Sequence, residues 1–301
     1  MKIWLRKLVL SATRLLLNLR YRIRVEGIER LQLDDRATLV LPNHPAYIDP
    51  AMVLAHLPLP QGAPRPVVYT ETYRMPALYP LMRVVDAVEV PDLRRTRRAA
   101  VLETRELIEN IADDLKKGQS FLIYPSGRLQ RENHEYIGTA RMAHDILSRC
   151  GQVNVVLVRI RGVWGSVFSC APTGGLPNLR KLLLAGIPRL LGSLILFLPR
   201  RNVSLVVEQV DSQRLAELGR LELNEQLESW YNEDGGELPS YVPFHVLLKR
   251  RRKLSSATNQ PSRLLRRRKG ADAHEGADTH EVVAEDQKFT STKFPQSPNS
   301  P

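Results

Sequence analysis

Apolar positions along this chain follow two rhythms that alternate from one end to the other. Short runs rich in Val, Ile and Leu at 38–41, 66–70, 84–90, 120–124, 153–160 and 203–210 predict six strands. Between them, apolar residues recur at three- and four-residue spacing and predict helices over 50–57, 94–117, 139–150 and 212–231. The helix over 94–117 has the clearest pattern: Leu107, Ile108, Ile111 and Leu115 share a face, and Gly118 ends it just before a strand. Strands separated by helices predict an α/β fold with a mostly parallel central sheet flanked by helices. No internal repeat is visible.

Three stretches depart from that rhythm. The first 24 residues carry Lys2, Arg6, Lys7, Arg14, Arg20, Arg22 and Arg24 and no acidic group, interleaved with Trp4, Leu5, Leu8, Leu15, Leu16 and Leu19. This predicts an amphipathic basic helix, lying in a lipid headgroup region with its cations on phosphates or packed on its own domain. Arg14 interrupts the apolar run, so neither a secretory signal nor a spanning helix of about 20 apolar residues is expected. Residues 182–199 are apolar except for Arg189, and Pro188 predicts two short helices, either buried or dipping into one leaflet. Beyond residue 248 the basic clusters at Lys249 and Arg266 lead into aperiodic Ser, Thr, Pro, Asp and Glu, which predicts a disordered tail. The chain thus divides into a docking helix at 1–24, a globular domain at 25–248 and a basic tail at 249–301.

At 301 residues and 43% hydrophobic content the chain can bury a large core, and a net charge of +12 favours a polyanionic neighbour. Anionic lipid, a phosphorylated substrate and nucleic acid all fit that charge. Nucleic acid is disfavoured, because no recognisable module is present and aromatics make up only 6% of the chain, few for stacking on bases. Cys150 and Cys170 are too few for a disulfide framework and suit a reducing compartment. No CxxC, HExxH or glycine-rich phosphate loop occurs, so neither a metal nor a nucleotide cofactor is expected.

The chemistry concentrates at LVLPNHPAYIDP, residues 39–50. His44 falls at the end of a predicted strand and Asp49 at the start of a predicted helix, where open α/β sheets place their ligands. A neutral imidazole can take the proton of an alcohol as it attacks, and a carboxylate can hold that imidazole in the useful tautomer. A loop histidine bonded to an aspartate for structural reasons is the alternative.

Asn43, His44 and Asp49 match the N-H-x-x-x-x-D motif, and over roughly residues 20–210 the chain resembles the glycerolipid acyltransferase family. VRIRGVWGSVFS at 158–169 looks closest to the branch acting on lysophospholipids such as 2-acylglycerophosphoethanolamine. The resemblance implies His44 as general base and Asp49 as its orienting partner, with Asn43 among the substrate-binding residues. The family's F-P-E-G-T-R corresponds to Tyr124, Pro125, Ser126, Gly127 and Arg128, with serine in place of glutamate. Substrate contacts are thereby implied for Ser126, Gly127, Arg128 and Arg131, the arginines gripping a phosphate. At the second motif Asp86 and Asp92 fall where glycine and arginine are expected, with Arg94, Arg95, Arg97 and Arg98 just after. The fourth is represented by Val156, Leu157, Val158, Arg159 and Ile160, whose alternation reads as sheet core.

The implied activity is acyl transfer from coenzyme A or acyl carrier protein to the hydroxyl of a lysophospholipid or acylglycerol phosphate. It would take place at an anionic membrane surface, on the cytoplasmic face. A degenerate family member that binds anionic lipid without turnover is the alternative suggested by Ser126.

Overall fold

The computed structural model of the chain describes residues 2–91, 97–192 and 199–242. Among these residues seven strands form one sheet: β1 (Tyr21–Glu26), β2 (Thr38–Pro42), β3 (Arg65–Tyr69), β4 (Val88–Val90), β5 (Phe121–Leu122), β6 (Asn154–Arg161) and β7 (Arg201–Val210). Their order across the sheet is β1-β7-β6-β2-β5-β3-β4. Every neighbouring pair is parallel except β6 and β7. The expected mostly parallel sheet is therefore present, with β7 inserted against the direction of β6.

Helices cover both faces: α1 (Lys2–Arg20), α2 (Asp49–His56), α3 (Thr70–Tyr73), α4 (Tyr79–Val84), α5 (Arg97–Lys116), α6 (Met142–Cys150), α7 (Leu179–Gly192), α8 (Ser212–Glu217) and α9 (Arg220–Tyr231). Alternation along each strand sends successive side chains to opposite layers. Leu39, Leu41, Phe121, Val155 and Leu157 pack with Ile111 and Leu115 of α5, Ile146 of α6 and Leu227 of α9. Val40, Leu122, Val156, Val158 and Ile160 pack with Leu17 of α1 and Met52 and Val53 of α2. The sheet thus separates two apolar cores, and the continuous burial of β2 and β6 follows from helices on both sides.

Several boundaries differ from expectation. The N-terminal helix ends at Arg20, and residues 21–24, assigned to it above, begin β1 instead. There Tyr21, Ile23 and Val25 point inward while Arg22, Arg24 and Glu26 face solvent. The strand expected over 84–90 is mostly the end of α4 and a turn at Asp86, leaving only Val88–Val90 extended. Asp86, where the family places glycine, has φ 56, a left-handed conformation that glycine adopts without strain and Asp tolerates better than most residues. The helix expected over 212–231 is broken at Leu218 and Gly219, both extended. Across Pro188, where a break was expected, α7 runs on, although proline forfeits one backbone hydrogen bond. Residues 193–198, the sites Asp92, Arg94 and Arg95, and the tail at 249–301 lie outside the described residues.

One side of α1 docks on the domain. Leu17 is buried, Leu10 packs against the same core, Asn18 Oδ1 lies 3.4 Å from His56 Nε2, and the Arg6 guanidinium donates to Pro64 O at 2.9 Å. Arg20 donates to Pro199 O and to Val242 O. Arg6 and Arg20 are therefore engaged with backbone carbonyls of the domain rather than arrayed as outward cations. The opposite side of α1 keeps Trp4, Leu5, Leu8, Leu15 and Leu16 in solvent, Trp4 and Leu15 at 69% and 67% exposure. Among the described residues no helix is long and apolar enough to cross a membrane.

Candidate active site

The site is built at the carboxyl ends of three adjacent parallel strands, β6, β2 and β5. Pro42 ends β2 without a backbone donor, and Asn43 takes over the pairing with β6. Asn43 N–H donates to Val158 O at 3.2 Å, its Nδ2 donates to Ile160 O at 3.2 Å, and Ile160 N–H donates to its Oδ1 at 2.7 Å. With both amide atoms on Ile160 and 5% exposure, Asn43 fastens the loop to the sheet.

The chain then turns through Pro45, Ala46 and Tyr47 and enters α2 at Asp49. His44 Nδ1 lies 3.2 Å from both carboxylate oxygens of Asp49, and Ala46 N–H donates to Asp49 Oδ2 at 3.2 Å. The Asp49 side chain is fully buried while that of His44 is 14% exposed, so the imidazole is the part that meets the outside. Burial pushes the Asp49 carboxyl upward from its ordinary value, opposed by the adjacent imidazole and the Ala46 amide. Its place in the first turn of α2 adds a favourable dipole interaction for the ionised form. Donation of Nδ1–H to Asp49 leaves Nε2 as the basic nitrogen.

Side chains and loops from three directions hold this pair. The Tyr124 ring, after β5, stacks on the imidazole with centroids 4.0 Å apart, and Tyr47 approaches edge-on at 6.5 Å. The loop after β6 reaches back, Tyr47 N–H donating to Phe168 O at 3.1 Å, with Leu129, Trp164 and Cys170 in a small cluster beneath Tyr47. The loop between β5 and α6 clamps the His44 backbone itself: His44 N–H donates to Glu135 Oε2 at 3.0 Å, and Gln130 N–H donates to His44 O at 2.7 Å. Glu135 is 3% exposed, and burial pushes its carboxyl up to about 7, against hydrogen bonding from Ser126 and His44.

Of the other expected residues, Ser126 is buried, its hydroxyl 3.0 Å from Arg128 O and against the Glu135 carboxylate. Gly127, with φ 59, lies beneath the Tyr69 hydroxyl, and a Cβ there would meet that oxygen at 3.3 Å. Arg128 is exposed, donating to Tyr136 O at 3.3 Å with its guanidinium 5.3 Å from the Tyr136 ring centroid. Arg131 is exposed on the side of Tyr47 and Cys170, close enough for its charge to act on both. The structure brings His44, Asp49 and Ser126 into one cluster with Arg131 at its edge, and leaves Arg128 on the neighbouring turn. Sequence reasoning missed Glu135 and Gln130, which lie in a polar loop without periodicity, and the stacking of Tyr124, which marks the family's phenylalanine position. Arg159 of β6 is buried and belongs to structure, donating to Trp230 O and Glu233 behind the sheet. Among the described residues no group of His, Cys, Asp or Glu side chains could hold a metal ion.

The family model "Acyltransferase" matches residues 22–161, from the second residue of β1 to the last residue of β6. The chain shares its fold with the crystal structure of the 1-acyl-sn-glycerophosphate (LPA) acyltransferase PlsC from Thermotoga maritima. The match covers 76% of this chain and 79% of that one, with a TM-score of 0.50 and 19% identity. Among curated proteins none matches. With this domain laid over six of the seven strands and His44 and Asp49 in contact at the strand ends, residues 22–161 form an acyltransferase domain and the chain is an acyltransferase.

Proposed function

We propose that the chain moves a fatty acyl group from the thioester of coenzyme A or acyl carrier protein to the hydroxyl of a lysophospholipid or acylglycerol phosphate. The observation that carries this reading is the partly exposed imidazole of His44 held through Nδ1 by a buried carboxylate at the strand ends. His44 Nε2 takes the hydroxyl proton as the oxygen attacks the thioester carbon. The tetrahedral adduct then collapses, breaking the carbon–sulfur bond, and the departing sulfur takes the proton back from the imidazolium. A base so placed contributes typically about 10² to 10⁴ in rate. Transfer is direct: both cysteines are buried and desolvation pushes both thiols up to about 11, the reverse of what an acyl-accepting thiolate needs. No cofactor beyond the thioester donor enters this chemistry. Arg131, and Arg128 from the next turn, supply positive charge for a phosphate.

The apolar stripe of α1 supports work at a lipid surface. Trp4, Leu8 and Leu15 would enter an anionic leaflet of the cytoplasmic face while the opposite side of α1 stays on the domain. The deciding assay is purified protein with a labelled acyl thioester and a panel of lysophospholipids, wild type beside His44→Ala. A loss of at least a hundredfold is expected, and equal product from both proteins would end the proposal. Serine at 126, in place of the motif glutamate, favours a second reading in which the chain only binds lipid; that reading predicts vesicle binding with no product from either protein.

A further inference from the structure

Ser126 leaves a vacancy of function in the motif loop, and a carboxylate from nine residues downstream occupies the same buried space. Glu135 is 3% exposed, lies against the Ser126 hydroxyl, and accepts His44 N–H at 3.0 Å. Its own backbone is clamped twice by one side chain at the end of α9: Glu135 N–H donates to Asn232 Oδ1 at 2.8 Å, and Asn232 Nδ2 donates to Glu135 O at 2.9 Å. Two residues on, Ile137 N–H and Gly138 N–H both donate to Glu228 Oε1, at 2.8 and 2.7 Å. The segment is thus tied to α9 at two points, and the single charged side chain it turns inward meets the backbone of the catalytic histidine. A buried carboxyl without a cationic partner is costly, so its placement beside Asp49 calls for a role. A glutamate at 126 as well would crowd a third carboxylate into this pocket, which accounts for the serine.

We propose that Glu135 is a positioning residue for the acyl transfer: from the opposite side of the pocket it supplies the carboxylate that position 126 lacks, and fixes the His44 backbone so that the imidazole is presented to the lipid hydroxyl. This rests on the function proposed above. It acts on the geometry of the reacting group and not on substrate affinity, so its loss falls on kcat.

The test compares Glu135→Ala, Glu135→Gln and the double variant Ser126→Glu with Glu135→Ala, by steady-state kinetics and by hydrogen exchange of the segment 43–49. Glu135→Ala is expected to lower kcat about a hundredfold with KM for donor and acceptor changed less than threefold, and to speed amide exchange in that segment. Glu135→Gln keeps an oxygen for His44 N–H and should hold kcat within tenfold of wild type. Returning a carboxylate through Ser126→Glu should recover at least tenfold of what Glu135→Ala lost. Wild-type kcat and exchange in Glu135→Ala, a loss confined to KM, or equal damage from Ala and Gln would overturn the assignment. Should Glu135→Ala not fold, Glu135→Met, which fills the volume without an acceptor, takes its place. If wild type shows no turnover the proposed function fails, while the exchange rates still judge whether Glu135 anchors His44.

Discussion

Changing Glu135 to Gln removes a titrating group whose folded and unfolded states hold their protons differently, and the consequence for stability can be worked out. Burial raises this carboxyl from 4.5 to about 7 in the folded chain. Between those values the folded state keeps a proton that the unfolded state has released, so stability falls as pH rises through that window and levels off above it. At about 1.36 kcal/mol per pH unit the loss between pH 5 and pH 8 amounts to about 2–3 kcal/mol, or roughly 5–10 °C in Tm for a domain of this size. The groups that face Glu135 are His44, Asp49, Ser126, Tyr124 and Tyr231. The two phenols are pushed well above 10 and stay neutral in this range. Asp49, also raised, shifts stability in the same direction, whereas His56, lowered by burial, shifts it in the opposite one. Both are present in wild type and in Glu135→Gln, so the difference between the two proteins isolates residue 135. Thermal melts followed by circular dichroism at constant ionic strength should show the Tm of Glu135→Gln gaining on wild type by that amount from pH 5 to pH 8. Parallel curves, or a gain on the acid side, would refute the buried, proton-holding carboxyl.

Two further outcomes follow from the same geometry. Asp49→Asn would offer His44 Nδ1 an N–H in place of an acceptor, moving the imidazole proton to Nε2 and abolishing its basicity; kcat should fall about 10³ to 10⁴-fold with melting temperature nearly unchanged, and a loss below tenfold, measured by single-turnover acyl transfer, would remove the carboxylate from the mechanism. Trp4→Ala combined with Leu15→Ala should weaken partition onto anionic vesicles at least tenfold, given about 1.5–3 kcal/mol for each large apolar side chain fully buried, and unchanged co-sedimentation would show that the stripe on α1 does not touch lipid.

Much of this architecture could be read from periodicity. β2, β3, β6 and β7 fall within about two residues of their expected limits: β2 and β6, covered on both faces, leave uninterrupted apolar runs, and β7 alternates buried with more exposed positions. β1 was hidden although Tyr21, Ile23 and Val25 alternate with charges, since the basic residues of that stretch extend without a break those of the preceding helix. The break between α8 and α9 rests on Gly219, whose extended backbone no helical pattern encodes. At the site, the five-residue separation of His44 and Asp49 spans one turn into a helix, and so their contact was legible. The anchoring of Asn43 was not legible, because it depends on Pro42 lacking a donor and on β6 lying alongside, which only the register reveals. Glu135 was invisible for the same kind of reason: it is 91 residues from the amide it meets.

The pairing of β1 with β7 joins residues 21–26 to residues 201–206, and among the described residues no other strand flanks β1 in the sheet. A ribosome must therefore extrude about 175 further residues after β1 before this strand meets its neighbour. Until then the segment just behind α1 waits with unpaired backbone groups, and chains released early, before position 201, would present that raw edge to other nascent chains.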